Sequence, residues 1–288
     1  MVLKYLYPIT KLFFMSSTEI HIQPVKTFSF GIAELWRKRE LLYFFAWRDV
    51  KVKYKAAYLG IAWSILQPLL LMGVFYVVFS RGLHIQTGTV PYWLYSFSGL
   101  LLWGLFSAGI TNSSESMIGN ANIIRKIYFP RLIIPLSSVS VAFIDFCFGF
   151  FLLLILLISM RQPVSWTAVF CFPLGVLFTL ASSFGLGTLV AALNVKFRDF
   201  RYLLPFCMQL LLFSSQVAYS FSTISSGKEK LFLYCNPLNG ALEIFNYPMQ
   251  PGTFNTTGVL ISLCCTFLLL AAGLAYFKRM EADFADLL

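Results

Sequence analysis

The stretch 132-LIIPLSSVSVAFIDFCFGFFLLLILLIS-159 carries a single charge, Asp145. It exceeds the ~20 helical residues that cross a bilayer, so its reading is a transmembrane helix. Five more apolar runs flank it, at Leu59–Phe79, Tyr92–Ile110, Trp166–Leu193, Tyr202–Phe221 and Thr257–Phe277. The expectation is an all-α integral membrane protein with six spans.

Orientation follows from the basic residues, because Lys and Arg mark loops retained in the cytoplasm. Eighteen of the 22 fall before the first run, in the second and fourth loops, or after the last run. Only Arg81, Arg161, Lys228 and Lys230 lie on the other side. Both termini are therefore expected in the cytoplasm, which an even number of spans allows. A composition of 58% hydrophobic and 12% charged residues suits a chain surrounded by lipid. The net charge of +10 lies where topology puts it, so no nucleic-acid partner is expected. The apolar stretch from Tyr5 to Met15 contains Pro8 and Lys11 and lacks a small-x-small cleavage site, so no cleaved signal peptide is expected.

Five of the six cysteines, Cys147, Cys171, Cys207, Cys264 and Cys265, fall in predicted spans, and only Cys235 lies outside. With no C-x-x-C pair, and His21 and His84 on opposite sides, neither a disulfide framework nor a metal site is expected. Asn255-Thr256-Thr257 is a weak match to a glycosylation sequon.

The chain divides into a mobile cytoplasmic arm at 1–27, an interfacial helical segment at 28–57, a six-span region at 58–278 and a cytoplasmic tail at 279–288. The interfacial segment is too charged to span and too aromatic to stay in water. Trp36, Leu41, Leu42, Phe44, Phe45 and Trp47 are expected in the headgroup region, on two short helices or one bent helix. Within the spans, Pro68, Pro173 and Pro205 should kink or end helices. The 185-GLG-187 stretch should allow close helix contact. Asp145 should face the protein interior and hydrogen-bond to a neighbouring helix, since an unpaired acid at membrane depth is costly. The last external loop, within a lid-like segment at 222–256, contains 231-LFLYCNPLNGALEIFNYPM-249. It reads as two short amphipathic helices, re-entrant or interfacial, lying at or dipping into the outer face, the second capped by Asn236 with Pro237 in its first turn.

Enzyme signatures are missing. Gly227-Lys228 is followed by Glu229 and lacks the earlier glycine of a phosphate-binding loop, and no nucleophile elbow, H-E-x-x-H or paired-carboxylate site appears. The chain is expected to be a non-enzyme that draws energy from elsewhere.

Five segments in order resemble the membrane subunit of ATP-binding-cassette polysaccharide exporters. They are 58-YLGIAWSILQPLLLMGVFYVVFS-80, 120-NANIIRKIYFPRLIIPLSSV-139, 193-LNVKFRDFRYLLPFCMQLL-211, 236-NPLNGALEIF-245 and 277-FKRMEADFADLL-288. The resemblance implies a homodimer in the bacterial inner membrane, joined to two copies of an ABC ATPase. It also implies no cofactor on this chain, ATP and Mg²⁺ being held by that partner. The implied cargo is undecaprenyl-linked polysaccharide, with O-antigen first and capsule or teichoic acid as alternatives. A membrane transferase acting on lipid-linked sugars is a more distant alternative, which would need clustered catalytic polar residues.

The family's ATPase-coupling elements carry onto Asn122, Arg125, Lys126, Phe129, Pro130 and Arg131, and onto Phe197, Arg198 and Asp199. The implied substrate path lies between two subunits, along spans one and five. There the aromatics Trp63, Phe75, Tyr76, Phe79, Phe213, Tyr219 and Phe221 could stack against sugar faces. Two positions depart from the family. Ser215-Gln216-Val217-Ala218-Tyr219 lacks the proline that would kink span five, and Phe245-Asn246 lacks an arginine that would meet an anionic substrate.

Overall fold

The computed structural model describes residues 36–55, 60–85, 90–219, 231–250 and 254–287. The arm at 1–27 and Phe221 lie outside these. The described residues are helical without strands: α1 Arg39–Lys55, α2 Ile61–Phe75, α3 Tyr92–Gly119, α4 Ala121–Ile124, α5 Ile133–Ser159, α6 Ala168–Lys196, α7 Phe200–Phe213, α8 Pro237–Asn246, α9 Thr256–Met280 and α10 Phe284–Leu287. A wider helical turn, Tyr76–Gly82, prolongs α2. Five of these helices are long and apolar enough to cross a membrane, and the chain is an all-α integral membrane protein.

Helix α3 is the centre of the bundle, packed by α5 and α6. Its serines and glycines let it sit close to its neighbours. Ser113 donates across to the Pro135 carbonyl at 3.1 Å, and a side chain on Gly109 would press on Ser183. Close helix contact at 185-GLG-187 is present. A Cβ on Gly185 would lie 2.7 Å from the Leu270 backbone, and one on Gly273 would overlap the Gly185 carbonyl. In lipid, where the hydrophobic effect does not drive helices together, this close approach supplies the packing energy.

Helix α1 does not lie across the end of the bundle. It runs along α5, from Phe45 stacked on Phe129 to Tyr54 edge-on to Phe148. Its outer face leaves Tyr43, Phe44, Trp47 and Val52 exposed.

The run Tyr202–Phe221 was expected to span, but helix α7 stops at Phe213 after 14 residues. At 1.5 Å per residue it covers about 21 Å, short of the ~30 Å hydrocarbon core. The helix ends without the family's proline because the rest of the structure satisfies the backbone that the break frees. Asn236 donates to the Leu211 carbonyl at 3.1 Å and to the Ser214 hydroxyl at 3.2 Å. Asn239 donates to the Ser214 carbonyl at 2.9 Å and accepts from the Gln216 amide at 2.9 Å. From α3, the Tyr95 and Tyr92 hydroxyls reach the carbonyls of Gln216 and Ala218 at 2.8 and 2.7 Å.

These asparagines open helix α8, as the sequence indicates. Asn236 accepts from the Leu238 amide at 3.1 Å and Pro237 follows it. The helix is inserted among the spans rather than laid over them, with Leu238, Asn239, Ala241, Leu242 and Phe245 fully buried. Small residues make room for it: Gly175 of α6 faces Phe245, and Gly258 of α9 faces the Tyr234 ring. Asn246, where the resemblance implies arginine, is buried in the core and accepts from Ser98 of α3 at 2.7 Å.

Asn239→Ala should be the most damaging single change in this region. It leaves the Gln216 amide and the Ser214 carbonyl without their partner and removes one of the two donors to the Leu233 carbonyl, and each orphaned buried group costs about 1–3 kcal/mol. A large fall in the melting temperature of the detergent-solubilised protein is expected. Asn122→Ala, at an exposed position, should leave it nearly unchanged, and equal effects from the two would refute this account.

Candidate functional site

At the end of the bundle expected in the cytoplasm, one apolar cluster includes Phe45 of α1, Phe129 and Ile133 around the start of α5, Phe277 and Met280 of α9, and Phe284 of α10. Polar contacts fix the loop between α3 and α5 at both ends. At its beginning, Arg48 donates to Asn120 at 2.8 Å while paired with Asp49 at 2.7 Å. At its end, the Arg131 guanidinium donates to the Glu281 carbonyl and lies 5.9 Å from the Phe284 ring. Lys278 holds Glu281 at 2.6 Å.

Between these fixed ends the loop is open to solvent. Phe129 is buried as its anchor, Pro130 and Arg131 are half-buried, and Asn122, Arg125 and Lys126 are exposed. Ile127 and Tyr128 are also exposed, at 61% and 80%, and sequence reasoning did not single them out. The loop after α6 lies at the same end, because Asn194 donates to the Ser114 carbonyl of α3 at 2.9 Å. There Phe197, Arg198 and Asp199 are exposed. Two short surface segments thus stand on the ends of the most buried helices.

A second feature is an open groove of about 870 Å³ between α1–α2 and α3–α5. Its polar lining includes Lys53, Ser64, Gln67, Asn112 and Asp145, with Trp63 beside them. The Asp145 carboxylate accepts from the Lys53 ammonium and from the Tyr54 hydroxyl. The acid therefore faces the open groove, largely shielded at 17% side-chain exposure, and is paired with a neighbouring helix. Its two partners lie about ninety positions earlier, in the segment read only as interfacial, so no local pattern could have named them.

The aromatic residues divide. Trp63 lines the groove, half-exposed, while Phe75 is buried edge-on to Phe79 at 5.3 Å. Tyr76 sits under the Arg81 guanidinium at 5.5 Å. Phe213 is 64% exposed at the end of α7, and the Tyr219 hydroxyl donates to its carbonyl at 2.9 Å. Within one subunit α2 packs on α3 and α5, while α7 packs on α3 and α6, so the two sets stand on different sides of the bundle. Helix α2 is also the barest of the long helices. Only 6% of its apolar window is buried, against 78% for α3.

Sequence reasoning also missed Glu243. Its carboxylate accepts from the Tyr234 hydroxyl and the Asn255 amide, and from Gln216 at 3.4 Å. One side chain ties α8 to the broken end of α7 and the start of α9. The signal was a lone acid in an apolar helix, 236-NPLNGALEIF-245.

Comparison with known proteins adds to this geometry. Residues 40–250 match the family model for the ABC-2 type transporter. An O-antigen export system permease protein RfbA of Klebsiella pneumoniae is 30% identical over 244 residues, which is 84% of this chain and 92% of that protein. A second Klebsiella pneumoniae protein of that name matches to the same extent. The protein of that name from Myxococcus xanthus is 27% identical over 257 residues, covering 88% of this chain and 98% of the relative.

The Lys53–Asp145 contact should behave as a coupled pair. Asp145→Asn and Lys53→Met should each lower thermal stability, by about 1–3 kcal/mol for a charged group left without its partner. The double variant should lose less than the sum of the two. Strict additivity in a double-mutant cycle on the solubilised protein would show that the side chains do not interact.

Proposed function

The chain belongs to the ABC-2 type transporter family, and from that premise we propose that it is the membrane subunit of an ATP-driven exporter of undecaprenyl-linked polysaccharide, O-antigen in the first instance, in a bacterial inner membrane. It works as a homodimer with two copies of a separate ABC ATPase, which binds ATP and Mg²⁺ and hydrolyses the ATP. This chain carries no catalytic residue of its own.

The observation that supports this reading most directly is the loop from Asn120 to Arg131, held at both ends and exposed between them. A flexible loop would absorb a displacement. A loop fixed to α1 at one end and to the tail at the other passes it to α3 and α5, which line the polar groove. The names of the relatives supply the cargo class. The groove's chemistry is compatible with it, since Trp63 offers a flat apolar face for a sugar ring and Gln67 and Asn112 offer hydrogen bonds to hydroxyls.

Arg125→Glu combined with Lys126→Glu should leave membrane insertion intact, because both side chains are exposed and touch nothing in the core. Co-isolation with the ATPase and the amount of surface polysaccharide should both fall sharply. Normal levels of both would exclude the loop as the coupling element. In a background without native cysteines, Trp63→Cys should react with a water-soluble maleimide several-fold faster than Leu268→Cys. Leu268 is the more exposed of the two, at 69% against 50% for Trp63, but lies on the outer face of α9. Equal reaction rates would place Trp63 in lipid and remove the groove from the transport path.

A further inference from the structure

Cys235 and Cys265 lie thirty positions apart, the first in the turn that leads into α8 and the second within α9. Folding brings them together. The Ser262 hydroxyl reaches the carbonyls of Tyr234 and Asn236, at 2.7 and 3.3 Å, and accepts from the Gly240 amide at 3.1 Å. Cys235 is the residue between those two carbonyls. Cys265 stands three positions beyond Ser262, on the same face of α9. The two thiols are hydrogen-bond partners.

Both side chains are open to reaction. Cys235 is exposed and Cys265 half-buried. Cys235 also lines an apolar groove of about 560 Å³ along α7, shared with Cys207 of α7, Phe106 of α3 and Leu269, one turn beyond Cys265 on α9. Cys264, next to Cys265 in the chain, points about 100° away around the helix. A disulfide needs its sulfurs about 2.0 Å apart. From hydrogen-bond contact, rotation about the two Cα–Cβ bonds covers most of that approach. The turn absorbs the rest, because Cys235 belongs to no helix and its amide is held only by the Phe232 carbonyl, at 3.0 Å.

We propose that Cys235 and Cys265 form a redox-active dithiol that closes to an intramolecular disulfide, tying the turn before α8 to α9. The oxidant is a disulfide-bearing molecule on the side opposite the basic loops, where disulfides persist. The Cys235 thiolate attacks one oxidant sulfur, forming a mixed disulfide and releasing the other sulfur as a thiol. The Cys265 thiolate then attacks the Cys235 sulfur, closing the new bond and releasing the second oxidant thiol. The protein loses two hydrogen atoms, and the oxidant gains them. Closure adds a covalent tie to a seat otherwise held by Ser262 and by the contact of Glu243 with the Asn255 amide. This chemistry is independent of the export reading.

The full-length chain in detergent is treated with dipyridyl disulfide, an apolar reagent that enters the micelle. The protein is then digested without reduction and read by peptide mass spectrometry. An isolated cysteine keeps its pyridyl adduct, whereas a pair that closes keeps none, because the second thiol expels it. The exposed Cys147 and Cys264 should carry adducts, while Cys235 and Cys265 should appear joined to each other. Cys265→Ser should leave the adduct standing on Cys235, and Cys264→Ser should leave the joined pair unchanged. The melting temperature should rise by several degrees on closure and return to its starting value with dithiothreitol, since the bond restrains the unfolded chain.

Separate adducts on Cys235 and Cys265 would overturn the proposal, as would failure of either to react while Cys147 does. A bond from Cys235 to Cys207 or Cys264, or one between two copies on a non-reducing gel, would assign a different pair and overturn this one. A fall in melting temperature on closure would show a bond made only by distorting the native packing, and would overturn it as well.

Discussion

The break in α7 is the constraint that organises this structure. Away from water, a carbonyl or amide without a partner costs several kcal/mol, so irregular backbone at membrane depth persists only where protein groups serve it. Here the service comes from two sources. Tyr92 and Tyr95 of α3 reach the turn from one side, and Asn236 and Asn239 reach it from the start of α8. Helix α8 must therefore enter the bundle, and the bundle must make room for it. The glycines of α6 and α9 do so, at Gly175 and Gly258. Ser262 of α9 completes the seat by donating to the Tyr234 carbonyl at 2.7 Å and accepting from the Gly240 amide at 3.1 Å. The Asn-Pro-x-Asn order, 236–239, is thus explained by three tasks: a helix cap, a proline where no donor is needed, and a second amide about one turn later.

What could be read from the sequence was what local pattern decides. Span-length apolar runs gave the fold class, Asn236-Pro237 gave the start of α8, and 185-GLG-187 gave a close helix contact. What could not be read depended on residues far apart in the chain. The end of α7 is invisible in an apolar run, because Phe213 and Ser214 do not show that Asn236 and Asn239 are waiting for them. The acid Asp145 was evident, but its partners were hidden in a segment whose mixed aromatic and basic residues suggested only a membrane surface. Helix α1 can rise along α5 because Phe45 and Arg48 face inward while Tyr43, Phe44 and Trp47 face out. That division becomes legible only once α5 and Asn120 are in place.

The cytoplasmic end follows a similar logic with the reverse purpose. The segment that must be accessible is short, and its two fixed ends are built from parts distant in sequence: Arg48 before the first span, and Glu281 and Phe284 after the last. Helix α1 and the segment after α9 thus converge on one loop. The tail, read at first only as a cytoplasmic end, is a structural member of that assembly. Its buried Phe284 and Phe277, edge to face at 5.0 Å, make the loop's position depend on α9 as well as on α3 and α5.

Helix α3 also divides the molecule chemically. Gly104, Ser107, Ala108 and Thr111 share the face that borders the polar groove. Phe106, two positions from Gly104 and so about 200° around a 3.6-residue helix, is buried on the side of the apolar groove. One helix thus borders a groove with several polar groups among apolar ones on one side and an almost wholly apolar groove on the other. On the export reading proposed above, the side with Gln67, Asn112 and Trp63 is the one suited to a sugar chain, while the other suits contact with hydrocarbon or with another apolar helix.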